Sequence, residues 1–203
     1  MPKNRTTNRT THLSLLEQLD LSEKLYDKTG HYQGLKKLAL HDKDPLTFEA
    51  FHSRLMSTII SVRETMKHIA SSPAIRDFEE FVIGIYTPEG DAVALSTGIM
   101  VHVHTLSEFI KFMIRNDYED DPKIRPGDIF ENNESWAGGV HTPDVMTLIP
   151  MFYKGELICW IGSVSHELEA GTYEGPGMTV FSPDRFGEGL HISAEKVGEN
   201  DQF

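Results

Sequence analysis

At 203 residues with a formal net charge of −12, the chain is long enough for one substantial hydrophobic core or two small ones. It is too acidic to hold a nucleic-acid backbone by charge neutralisation. Hydrophobic residues make up 39% and charged residues 25%, which excludes disorder throughout, and the single cysteine, Cys159, excludes intrachain disulfides and multi-thiolate metal sites.

Met1 to Thr11 is polar and reads as a disordered tail; it lacks the apolar core of a secretory signal. No apolar run approaches the roughly 18 residues of a membrane span, so the expected compartment is cytoplasmic, with no membrane and no nucleic-acid partner. Leu15, Leu16, Leu19 and Leu25 follow a helical period and predict a helix over Leu13 to Tyr26, with Gly30 as its stop. Lying outside the main β region, this helix is free to pack on a partner, and residues 1–30 are taken as a tail and docking helix apart from 31–203. A short apolar cluster at Leu35, Leu38 and Leu40 leads to the clearest helix start, where Asp44 caps and Pro45 takes the first helical position. The helix should run to about Ala70, with an apolar stripe (Phe48, Phe51, Leu55, Ile59, Val62, Met66, Ile69) that reads as core or subunit interface.

Beyond the breaker at Ser71 to Pro73, Phe81 to Tyr86, the turn TPEG and Asp91 to Ser96 read as a β-hairpin. Ile99 to His104 (IMVHVH) reads as a strand that turns His102 and His104 to the same side. Helical spacing resumes at Leu106, Phe109, Ile110, Met113 and Ile114, predicting a helix over Ser107 to Tyr118. Val145 to Tyr153 and Leu157 to Val164 are rich in Val, Ile and aromatic residues, and Lys154 to Glu156 between them supply a turn, which predicts a second hairpin. Glycines and prolines after His166 specify a long irregular loop, and Ile192 to Val197 a last strand. No internal repeat or composition shift marks a boundary, so the expected fold is α+β, with helices packed on hairpins that form a sheet.

The second hairpin organises the chemistry. When its arms pair, the residues just before the first and just after the second meet at one edge of the sheet: His141 and Asp144 on one side, His166 on the other. With ten histidines in the chain some fall near strand ends by chance; here Gly138 and Gly139 allow a tight backbone path and Pro143 stiffens the segment between two of the donors. Two imidazoles and one carboxylate leave coordination positions open on a divalent ion, the arrangement of a metal that must bind substrate or water. Mn, Fe(II) and Zn all fit, the carboxylate favouring Mn or Fe. Such an ion acts as a Lewis acid where negative charge develops on a carbonyl, enolate or carboxylate oxygen. Glu167 is the nearest candidate base and His102 a further catalytic candidate. GxxxxGK[ST], GxGxxG and GxSxG are absent, so any ATP is bound by another chain.

The segments RPGDIFENN, GGVHTPDV, PMFYKGELICWIG and SHELEAG, followed by GPGM and RFGEGLHI, resemble the N-terminal part of the hydantoinase B/oxoprolinase family. STGIMVHVHT, RETMKHIASSP and KVGENDQF resemble the metal-bearing large subunits of its acetone carboxylase and ketone carboxylase branch. The resemblance implies an ATP-dependent, multi-subunit ligase. In it a hydantoinase A-like partner binds ATP and phosphorylates ketone and bicarbonate, with a small third subunit alongside. The subunit of this type holds a divalent metal, manganese in acetone carboxylase, where CO2 joins an enolate. Carried over by position, the ligands are His141, Asp144 and His166. Family subunits are several times longer than this chain, and Glu169 with Ala170 stand where the family pattern has Asp and a variable residue. Two other readings remain: an ATP-dependent hydrolase of hydantoin, oxoproline or other cyclic amides, and a non-catalytic assembly module.

Overall fold

The computed structural model describes residues 13–175 and 179–203. The expected disordered tail, and all of GPGM except Gly175, lie outside the described residues. The rest forms a six-stranded antiparallel sheet flanked by helices, as expected of an α+β chain.

Helix α1 (Leu15–Thr29) begins in a capping box, in which Ser14 and Glu17 satisfy each other's backbone N–H, and ends at Gly30 with φ 68°. It buries Leu15 and Leu19 in the main core; Leu16 and Leu21 stay exposed on its outer side. The apolar cluster at Leu35 to Leu40 forms only a single turn, α2 (Ala39–Lys43), and these leucines remain exposed. Helix α3 (Pro45–Ile69) starts where expected, with the Asp44 carboxylate accepting from Thr47 N and Pro45 at the first position. Its apolar stripe is mostly uncovered: Ile59 is buried, whereas Phe51, Val62 and Ile69 are exposed. What docks this helix is Arg63, whose side chain is 6% exposed. Arg63 donates to Thr97 O (2.8 Å) and Glu79 (2.6 Å) and covers the Phe81 ring at 5.0 Å.

A short turn of helix, α4 (Pro73–Arg76), leads into the first hairpin, β1 (Phe81–Tyr86) and β2 (Ala92–Leu95). The segment IMVHVH is not a strand. Val101 opens helix α5 (Val101–Arg115), which starts six residues earlier than the apolar spacing from Leu106 suggests. Alternating β-branched residues gave the misreading. The helical phase wins because His102, Leu106, Phe109, Ile110 and Met113, three or four apart, place one continuous stripe on the sheet, whereas His104 faces solvent. His102 and His104 therefore do not share a face.

A strand that the sequence conceals, β3 (Ile129–Asn132), follows the acidic segment at Glu119–Lys123. Then comes the long hairpin β4 (Asp144–Tyr153) and β5 (Glu156–His166), closed by Lys154 and Gly155. These two residues have φ 52° and 83°, the positive values that a two-residue turn compatible with strand twist requires. Strand β6 (Glu195–Gly198) completes the order β2-β1-β5-β4-β3-β6, so the long hairpin occupies the centre. Alternate residues of β4 and β5 turn inward: Met146 opposite Val164, Leu148 opposite Gly162, Pro150 opposite Trp160. With Val82 and Tyr86 of β1, Phe130 of β3 and the apolar stripe of α5 they form the core. A Cβ at Gly162 would come within 3.0 Å of the Leu106 and Leu148 side chains, so this glycine sets how closely α5 lies on the sheet. Cys159 is half-buried on the other face, and burial raises its thiol pKa, which leaves it a packing residue rather than a nucleophile.

Candidate metal centre at the end of the central hairpin

The pairing that makes the core also makes the site. Asp144 lies directly opposite His166, two rungs beyond Met146 and Val164 and so on the same inward face. The register is held past the hairpin's end, because His166 N donates to Glu80 O (3.0 Å) and Glu167 N to Pro143 O (2.8 Å). His141 precedes the strand in the turn that begins β4, with Asp144 N donating to His141 O. The expected hairpin geometry thus brings all three side chains together. His166 Nδ1 lies 2.9 Å from Asp144 Oδ1, and His141 Nε2 lies 3.2 Å from Asp144 Oδ2. One donor atom from each of the three residues lies within 4.8 Å of the others. The two imidazole rings meet edge to face with centroids 5.2 Å apart.

The path to His141 is tightly specified. At Gly138, with φ 103°, a Cβ would sit 2.9 Å from Phe109 N and Thr105 O of α5; at Gly139 it would sit 2.8 Å from Asn133 O. Side chains larger than hydrogen would push the segment off the helix and move the histidine. Behind it stands a buried polar network absent from the sequence reading. Asn133 Nδ2 donates to Thr142 O and to Leu190 O (both 2.8 Å), while Asn133 Oδ1 accepts from Ile192 N (2.7 Å). Asn132 joins the Glu134 and Ala137 carbonyls to Ala194 N in the same way. Glu134, 4% exposed, is paired with Arg185 and lies 3.2 Å from His191 Nδ1. These contacts clip the irregular C-terminal loop onto the strand that leads to the site.

The sequence candidates divide. His102, on the first turn of α5, is 2% exposed and places Nε2 3.8 Å from Asp144 Oδ1. Burial, opposed by the Asp144 carboxylate and joined by the nearby His141 and His166, holds its pKa below the usual imidazole value. Glu167 is not part of the group. It lies just past the strand end, and its carboxylate accepts from Ser165 Oγ (3.3 Å) on the opposite face. Glu169 serves the loop, accepting from the backbone N–H of Gly171 and Thr172.

Does this group suit a cation? Its donors are two imidazoles and one carboxylate, the set common to Mn, Fe and Zn. The Asp144 side chain is 5% exposed with three imidazoles around it. Among the described residues His141 Nδ1 and His102 Nδ1 are buried ring nitrogens with no hydrogen-bond partner. A buried carboxylate faced by three imidazole nitrogens suits an ion rather than a closed hydrogen-bond cluster. Beside His141, Val140–Pro143 on one side and Thr172, Thr179 and Glu188 on the other line an open cleft of about 320 Å³.

The chain is similar to known proteins over most of its length. Residues 44–203 match the family Hydantoinase B/oxoprolinase. The chain is 42% identical over 174 residues to the acetone carboxylase alpha subunit of Xanthobacter autotrophicus, covering 85% of this chain and 22% of that protein. To the acetophenone carboxylase delta subunit of Aromatoleum aromaticum it is 36% identical over 119 residues, 59% of this chain and 17% of the relative. A nucleotide-free structure of acetone carboxylase superimposes with a TM-score of 0.89 at 39% identity, covering 93% of this chain and 25% of the other. The chain thus spans a quarter or less of the length of each of these relatives. With the central hairpin, the helix that covers it and most of its length matched in order, this chain belongs to the hydantoinase B/oxoprolinase family.

Proposed function

We propose that the chain is the metal-holding part of an ATP-dependent ketone carboxylase. The observation that carries this reading is the convergence of His141, Asp144 and His166 donor atoms within 4.8 Å in a chain 42% identical to an acetone carboxylase alpha subunit. In this reading those three side chains hold one divalent ion, manganese before zinc or iron. The ion supplies Lewis-acid stabilisation to an oxygen that gains negative charge as CO2 derived from bicarbonate joins an enolate.

The chain's own residues supply position. Asp144 and His166 sit on paired strands of a packed sheet, so their spacing is set by the ladder and not by a loop. His141 borders the cleft of about 320 Å³, room for a small ketone or a carboxylate. Burial of Asp144 keeps water from competing for its oxygens from the core side. ATP chemistry falls to a hydantoinase A-like partner with a small third subunit alongside, in a cytoplasmic assembly. Residues 31–203 form the hydantoinase B-type unit, and residues 1–30 meet a partner through the exposed Leu16, Leu21 and Tyr26.

The test uses the 203-residue chain, stripped of metal and dialysed against Mn(II) or Zn(II). One equivalent of ion should remain per chain, and H141A and H166A should each lose it while keeping the wild-type circular dichroism spectrum. Bicarbonate fixation into acetone should then require the partner subunits and fail with either variant. A folded wild-type chain that retains neither ion would sink the reading.

A further inference from the structure

We propose that His102 is a positioning residue for the Asp144 carboxylate, reaching from α5 to donate its Nε2 proton to Oδ1 and so fixing the angle at which Asp144 meets the ion. This rests on the metal reading above and extends it to a helix that supplies none of the three proposed ligands.

The tautomer follows from the surroundings. His102 Nδ1 is buried with no hydrogen-bond partner, so a proton placed there would be a buried donor with nothing to donate to. Nε2 instead faces a carboxylate oxygen at 3.8 Å. The proton therefore belongs on Nε2, and the bare Nδ1 is the less costly atom to leave unpaired. At 3.8 Å the contact exceeds hydrogen-bond length. Oδ1 is already engaged by His166 Nδ1 at 2.9 Å. With His166 serving as a ligand, His102 Nε2 would remain as a ring nitrogen facing Oδ1. The arm that carries His102 is rigid: Thr105 Oγ1 donates to His102 O, Tyr86 Oη donates to Val103 O, and Leu106 and Phe109 are fully buried against the sheet. Nearby, Glu80 lies 3.9 Å from His166 Nε2, on the far side of that ring from Asp144 Oδ1. His102 is therefore the imidazole through which the packing of α5 reaches the carboxylate.

The experiment is Mn(II) titration of the metal-free 203-residue chain by calorimetry, with electron paramagnetic resonance of the loaded protein. Variant H102L keeps apolar volume without a donor; H102Q carries an amide N–H at the distance of Nε2. H102L should bind Mn(II) ten- to a hundredfold more weakly, the loss typical of a removed ligand-orienting group, at unchanged stoichiometry and with an altered resonance line shape. H102Q should restore most of the affinity and the wild-type line shape. H102N, whose amide stops at the Nδ1 position, should behave like H102L and replaces it if the leucine variant does not fold. Wild-type affinity and line shape in H102L or H102N, or an H102Q as weak as they are, would overturn the assignment while leaving the metal reading intact. A folded wild type that binds no Mn(II), with H141A indistinguishable from it, would overturn both.

Discussion

Two amphipathic helices lie against the same sheet and are held in opposite ways. α5 has 15 residues and buries seven of them, including Leu106, Phe109, Ile110 and Met113 at 0% exposure. α3 has 25 residues and buries two, Ile59 and Arg63. Both show a strong apolar period in sequence, so period alone does not decide burial. Position in the sheet does. α5 crosses the inward face at the central hairpin, where Gly162 leaves room for it; α3 touches the edge hairpin, and a buried guanidinium does the work that methyl groups do under α5. The helix that carries His102 is fixed by packing, whereas α3 adds the polar contacts of Arg63 to a smaller apolar contact of Met66 with Ile75, Phe81 and Ile83.

The contrast can be broken most sharply in α5. Phe109→Ala should cost about 3–5 kcal/mol, as truncation of a fully buried aromatic does, measured by urea unfolding. Gly162→Val should cost about 1–3 kcal/mol through overpacking against Leu106 and Leu148. It should also weaken metal retention, since Gly162 lies on β5 four residues before His166. Arg63→Ala should cost about 1 kcal/mol, the net worth of a lost hydrogen bond, through its contacts to Thr97 O and Glu79, and leave metal retention near wild type.

An acid titration sharpens the same point. Hydrogen bonds from Lys67 and then Arg63 hold Glu79 down from the usual 4.5 to about 2. A carboxylate with a depressed folded pKa contributes stability that is present above its unfolded value and lost as pH falls through the folded one. The tie between α3 and the sheet should therefore weaken between about pH 4.5 and 2. Glu79→Gln should remove that part of the pH dependence, read as the melting temperature across the range. Smallest of all, Phe51→Ala, on the uncovered side of α3, should stay within about 0.5 kcal/mol of wild type.

Much of the architecture was legible. Asp44, Pro45 and Gly30 are local signals, satisfied by neighbours a few residues away, and the structure uses each as the sequence implies. The hairpin that brings His141, Asp144 and His166 together could be read because its arms are long and its turn is short. Strand β3 was hidden, since Ile129 and Phe130 are its only apolar residues and its remaining support comes from β4, β6 and the Asn132 network. His102 was placed on a strand because IMVHVH suits one, whereas carrying the helical spacing of Leu106 to Met113 backwards by four residues would have put it on α5 facing the sheet. The Asn133 and Glu134 clips join segments some fifty to sixty residues apart, and no local pattern announces such pairs.

The hairpin's arithmetic reaches further than its length. Nine residue pairs separate a tip made of Lys154 and Gly155 from the rung that holds Asp144 and His166, with one irregularity at Met151 and Phe152. Because strand residues alternate sides, deleting a single residue from either arm beyond that irregularity would send the carboxylate and the imidazole to opposite surfaces. Length changes are therefore tolerable at the tip, or in matched twos, but not singly along the arms. Odd and even, rather than any side chain, is the inherited quantity that keeps this centre in being.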